Sequence, residues 1–173
     1  MVLTREELLA SLQNEVRLFL HLAGKADQSK LDYRPTPKQR SILELVQYLA
    51  IMAPTMIVSI KSGDFSREAM MATWGTAEAA SKKMTYEQAV AAIEKQSSDF
   101  VALFGGWSDA DFRSEVEFLG RKFARGHMIV NLVLGGFAAY RTQLFCYLKS
   151  TGREELNTMN LWMGMDAPMG PAS

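Results

Sequence analysis

The sequence predicts an all-α protein, a four-helix bundle with a long crossover connection between the second and third helices. Two observations carry this expectation. Capping boxes, in which a hydroxyl side chain and a carboxylate or amide three residues on satisfy each other's free backbone N–H groups, occur at Thr4/Glu7, Ser41/Glu44 and Thr85/Gln88. Each opens a stretch with apolar residues at helical spacing, and amphipathic stripes of this length are most simply hidden against one another.

After Thr4, Leu9, Leu12, Val16, Phe19 and Ala23 fall on one face and Gly24 supplies a stop, which predicts a helix over about 4–24. After Ser41, Leu43, Val46, Ala50, Ala53 and Ile57 repeat the pattern over 41–60, with Pro54 expected to kink the helix because it lacks a backbone donor. The third stripe, Ala89, Ile93, Phe100 and Leu103, spans 85–104 and ends at Gly105 and Gly106. The fourth, over 127–150, begins near His127 and runs through Ile129, Val133, Phe137, Leu144 and Leu148. Residues 25–40 are too Pro-rich and polar for regular structure, and 61–84 is long for a hairpin connection, so a crossover with a short helix is expected there. "SDAD" in 107–126 offers a fourth cap, followed by "GRKFARG", read as an irregular basic loop. The Met-rich tail 153–173 is expected to drape over the bundle or a partner.

Composition narrows the function classes. A chain of 173 residues suits one domain, here 1–173. Nineteen Lys plus Arg balance nineteen Asp plus Glu, so no net field favours nucleic acid or an anionic membrane. The lone Cys146 cannot close an internal disulfide, the N-terminus lacks a secretion signal's apolar core, and the longest apolar stretch falls short of the roughly 20 residues that span a bilayer. A cytoplasmic protein that binds neither nucleic acid nor membrane is expected.

"LDYRPTPKQRSILELVQYLA" at 31–50 and "YRTQLFCYLKSTG" at 140–152 resemble the DinB/YfiT-like superfamily of small four-helix bundles, the first matching the start of its second helix and the second its last helix. The resemblance covers nearly the whole chain. It implies a homodimer and a divalent metal, commonly nickel, zinc or manganese, held by three histidines at one bundle end, with thiol-dependent transferase or hydrolase activity in some members. The positions matching those histidines are Gln47, Gly136 and Tyr140. Glycine offers no ligand, glutamine a weak one and neutral tyrosine a poor one, so no metal or other cofactor is expected.

Gln47 and Tyr140 both fall on inward faces, and a buried amide and phenol each need a partner. One reading bonds them to each other, directly or through water, across the former metal site; the other makes Tyr140 a core aromatic whose hydroxyl reaches the bundle end. Gly136 serves either close helix packing or a small-ligand pocket beside Tyr140. His127, beside the basic stretch, is a further pocket candidate, whereas His21 is read as part of a solvated basic face. Cys146 is expected to be packed and inert, Arg141 to lie on the helix surface or at a dimer contact, and Gln143 to face a neighbouring helix. The preferred expectation is ligand binding or scaffolding without metal; the alternative is a divergent thiol-dependent transferase or metal-dependent hydrolase.

Overall fold

A computed structural model describes residues 3–166. Helix α1 (Arg5–Ala23) and helix α2 (Ile42–Ser62) start at Thr4 and Ser41, where both reciprocal bonds of each capping box form. The crossover is itself helical: α3 (Arg67–Met70), a wider π turn (Met71–Gly75) and α4 (Thr76–Ser81), the last packed on α2. Helix α5 (Tyr86–Leu103) starts at the Thr85/Gln88 box, and α6 (Asp109–Arg113) at a fourth box, Ser108/Asp111. The last helix runs from Arg125 to Ser150 as α7 (Arg125–Met128), a π turn (Ile129–Leu134) and α8 (Gly135–Ser150).

The stripes meet in one core. Leu12, Val16 and Phe19 of α1, Val46, Ala53 and Ile57 of α2, Ala89, Ile93 and Phe100 of α5, and Ile129, Val133, Phe137, Leu144 and Leu148 of the last helix are all fully buried. Burying each large apolar side chain contributes about 1.5–3 kcal/mol, which outweighs the helix propensities of a chain with two adjacent glycines in its last helix. Helix α2 is buried on more than one stripe because α4, α5 and the last helix all pack on it. By length and hydropathy, α2 and the Arg125–Ser150 run would each cross a bilayer, but 67% of the apolar window of α2 is covered by the other helices. The last helix is less covered, and its outward positions include Asn131, Thr142 and Lys149.

Hydrogen bonds fix which ends meet. Arg5 Nη1 donates to the Trp107 carbonyl (3.3 Å) and Arg125 Nε to the Ile60 carbonyl (3.0 Å), so the starts of α1 and α7 lie with the ends of α2 and α5. At the opposite end the Tyr86 hydroxyl donates to the Ala23 carbonyl (2.7 Å) and Arg153 bonds the Lys25 carbonyl.

The "GRKFARG" stretch is not an irregular loop. Strands β1 (Glu115–Phe118) and β2 (Arg121–Ala124) pair antiparallel, and Arg125 and Gly126 begin α7. Leu119 and Gly120 make the two-residue turn, with φ of 52° and 73°. Positive φ at both positions is what a type I′ hairpin turn needs, but a leucine there costs about 1–2 kcal/mol through its Cβ. Leu119 is 85% exposed, so its side chain returns little of that cost. Leu119→Asn is therefore expected to raise stability by about 1 kcal/mol; an unchanged or lower urea midpoint would show that Leu119 is held by something other than the turn.

The tail does fold back on the bundle. A π turn at Met159–Met163 packs on α1 and α8; Arg17 Nη2 donates to the Met163 carbonyl (3.0 Å), and Lys25 pairs with Asp166 (2.7 Å). Residues 167–173 of the expected tail lie outside the described residues. His21 is not on a solvated face: the tail covers it, with Asn160 Nδ2 at 3.2 Å, and burial, followed by the charge of Lys25, lowers its pKa.

Candidate functional site

A cleft of about 1000 Å³ opens at the bundle end that holds Ala23 and Tyr86. One wall is the first three turns of α2, carrying Gln47, Tyr48 and Ile51; the others are the connection before α2, with Arg34, Lys38 and Arg40, and the helical crossover, with Trp74, Glu78 and Lys82. Helix periodicity explains the split on α2: Gln47 faces α5's leading turn, while Tyr48, one position on, turns toward the crossover.

Gln47 lines this cleft but does not bond to Tyr140. Its Nε2 donates instead to the Met84 carbonyl (2.8 Å), closing the turn that precedes α5. Tyr140 packs edge-on against Tyr48, ring centroids 5.1 Å apart, so the expected direct Gln47–Tyr140 bond is replaced by two separate contacts. Sequence separation explains the error: the donor's partner comes from a loop 37 residues away, whose path over the helix end cannot be read from α2 alone.

Gly136 provides close packing rather than open space. A Cβ there would lie 3.1 Å from Met52 Cε, and Met52 is 2% exposed, so the thioether fills the room that the missing side chain leaves. Gly135 ends the π turn, its N–H donating to the Val130 carbonyl five residues back. His127 stands at the far end of the bundle, exposed beside Phe123 (6.0 Å) at the rim of a second cleft of about 650 Å³ with Arg5 and Phe112. The structure therefore does not bring it together with Gln47 and Tyr140.

Three further side chains depart from expectation. Cys146 is exposed rather than packed. Gln143 bonds the Tyr147 hydroxyl on its own helix and also lines the cleft. Arg141 is buried, 2% exposed, in an ion pair with Glu15.

The aromatic groups of the cleft form a stack that sequence reading did not assemble. The Arg40 guanidinium sits 4.0 Å from the centre of the Tyr48 ring, and Trp74 stacks on the same residue at 6.3 Å and 27°. Trp74 lies in the crossover, and neither it nor Tyr48 and Arg40 carries a motif that marks a site. The Trp74 Nε1–H is buried and bonds no described group, an orphan donor beside a cleft.

Burial, then the neighbouring Tyr140, pushes the Tyr48 pKa from 10.0 up to about 12, and burial, then Glu87, raises that of Tyr86. Both phenols stay neutral at physiological pH. A folded pKa above the unfolded value of about 10 means stability that is complete below that pH and is lost as pH rises through the folded values. The urea midpoint is expected to fall steeply between about pH 10 and 12, and less steeply in Tyr86→Phe; equal slopes in the two proteins would contradict the assignment.

The donor set does not fit a divalent metal. An amide whose N–H is committed to Met84, a glycine and a phenol packed on another ring stand at the three matching positions, and no three His, Cys, Asp or Glu side chains gather anywhere among the described residues.

No family model matches the chain, and no curated protein matches it. Among solved structures it is similar to a crystal structure of a DinB-like protein, YjoA, from Bacillus subtilis, with a TM-score of 0.64 at 19% identity, over 87% of this chain and 94% of that one. At that identity the likeness concerns architecture: this chain has the fold of the DinB-like proteins.

Proposed function

We propose that this DinB-like bundle binds a small molecule in the cleft beside Gln47 and does so without a divalent metal. The observation that carries the reading is the Arg40–Tyr48–Trp74 stack, which ends in an orphan indole N–H. Stacked aromatics with a few polar groups aimed at one space are the usual make-up of a small-molecule site. The protein acts in the cytoplasm, as a homodimer through the tail, where Trp162, Met163 and Met165 each keep more than half their surface exposed.

Two measurements test this reading. Fragment titrations followed by amide and indole NMR signals are expected to move Trp74 and Gln47, and elemental analysis after adding nickel, zinc and manganese is expected to find less than one metal per chain. One equivalent of retained metal would sink the metal-free reading. Shifts confined to the His127 cleft would move the site to the other end of the bundle.

A further inference from the structure

The tail lies directly on α1. A Cβ at Gly164 would come within 2.9 Å of Leu18 Cδ2 and 2.8 Å of Arg17 Nη1, so the tail backbone itself covers the helix here, and Leu18 beneath it is 2% exposed. Arg17, His21 and Lys25, four residues apart in sequence, hold it in place. Arg17 bonds the Met163 carbonyl, Lys25 pairs with Asp166, and His21 between them meets Asn160.

The His21 contact has one polarity. Asn160 is 3% exposed; its Oδ1 accepts from the Asn157 N–H (2.9 Å) and its Nδ2 donates to Asp166 Oδ1 (2.9 Å), so the amide cannot turn round without losing both bonds. The group it sets 3.2 Å from His21 Nε2 is therefore a donor. Nε2 must accept, which requires a neutral ring with its proton on Nδ1. A proton on Nε2 would set N–H against N–H.

The surrounding charges act in the same direction. Lys25 and Arg17 both disfavour an imidazolium. Asp166 favours one from 3.8 Å, but it is 65% exposed and already paired with Lys25 at 2.7 Å. Glu15 and Arg141, the other charged pair at the tail, are closed on each other. Burial and then Lys25 hold the His21 pKa below its ordinary 6.5, while the bond from Lys25 holds Asp166 below the usual carboxylate value, so the acid stays charged where the ring titrates. The chain's other histidine, His127, stands at the far end of the bundle.

We propose that the tail is an acid-released strap, pinned on α1 by neutral His21 through Asn160. Protonating the ring replaces the bond with a repulsion, the segment from Met159 to Asp166 lifts, and Leu18 is uncovered. The lifted state takes up a proton that the docked state excludes. Docking is therefore complete above about pH 6.5 and weakens as pH falls from there toward the folded pKa.

Amide exchange in the isotope-labelled full chain, corrected for intrinsic rates, tests this, with the Asn157 and Leu161 N–H groups reporting the tail. Their protection is expected to fall about tenfold from about pH 7.5 to about pH 5.5, while amides of α2 keep theirs. His21→Gln retains an acceptor but cannot titrate, and is expected to hold tail protection constant to within about twofold over the same range. The ring nitrogen shifts of the unaltered protein near neutral pH, which need no variant, are expected to show the Nδ1–H tautomer. An Nε2–H tautomer, tail protection unchanged as His21 titrates, or a loss that persists in His21→Gln overturns the proposal. An equal loss in α2 overturns it too, because the whole bundle would then be opening rather than the strap.

Discussion

Arg141→Ala is expected to cost about 3–5 kcal/mol of folding free energy, a large share of the about 5–15 kcal/mol that holds a domain of ordinary size. The guanidinium is almost wholly buried and forks onto Glu15, Nε to Oε2 at 2.9 Å and Nη2 to Oε1 at 3.2 Å, while Nη1 bonds the Leu161 carbonyl and the Trp162 ring lies 5.3 Å away. One side chain of α8 thereby holds α1 and the tail together. Truncating it leaves the Glu15 carboxylate, whose side chain is 13% exposed, without a counter-charge in a low-dielectric setting. Replacing both partners, Glu15→Leu with Arg141→Met, removes both desolvated charges and is expected to cost far less than the single change. Equilibrium urea unfolding separates these outcomes. A loss below about 1 kcal/mol would mean that the pair is solvated and weak, as surface ion pairs are.

Arg141 also shows what the sequence could and could not reveal. Its place in "YRTQL" marks the last helix and led to the correct fold, yet the residue was expected at the surface because a lone arginine in a helix gives no sign of a partner 126 positions away. The helices were legible for the opposite reason. Thr4, Ser41 and Thr85 announce themselves within four residues, and the stripes behind them repeat locally. The hairpin escaped because two four-residue strands carry little alternation and the turn is Leu119-Gly120 rather than Asn-Gly, leaving charge as the dominant local signal.

The site divides along the same line. Gln47 was legible as an inward polar residue on α2, and it lines the cleft. Its partner Met84 and its neighbours Trp74 and Arg40 come from the connections on either side of α2, whose paths are set by tertiary packing rather than by any local pattern. Gly136 was legible as an anomaly, but the residue that explains it, Met52, lies on another helix at an ordinary apolar position.

Gln96→Leu is expected to cost about 1–3 kcal/mol in the native sequence and much less in a Pro54→Ala background. Pro54 has no N–H, so the Ala50 carbonyl four residues before it loses its helical donor. Gln96, 1% exposed on α5, supplies the substitute: its Nε2 donates to the Ala50 carbonyl at 3.0 Å and to the Leu49 carbonyl at 2.9 Å. Two acceptors facing the amide fix its orientation, because a flipped side chain would set oxygen against oxygen. That orientation leaves Oε1 buried without a bond, so the amide is kept for what its N–H groups do, at the expense of its oxygen. Leucine at 96 would orphan the Ala50 carbonyl in the native helix. With alanine at 54 the backbone N–H returns, the carbonyl is satisfied within α2, and the same leucine becomes an ordinary core substitution. A double-mutant cycle by urea unfolding is expected to show a coupling of about 1 kcal/mol or more between positions 54 and 96. Additivity to within about 0.5 kcal/mol would mean that α2 tolerates its broken hydrogen bond without help from α5.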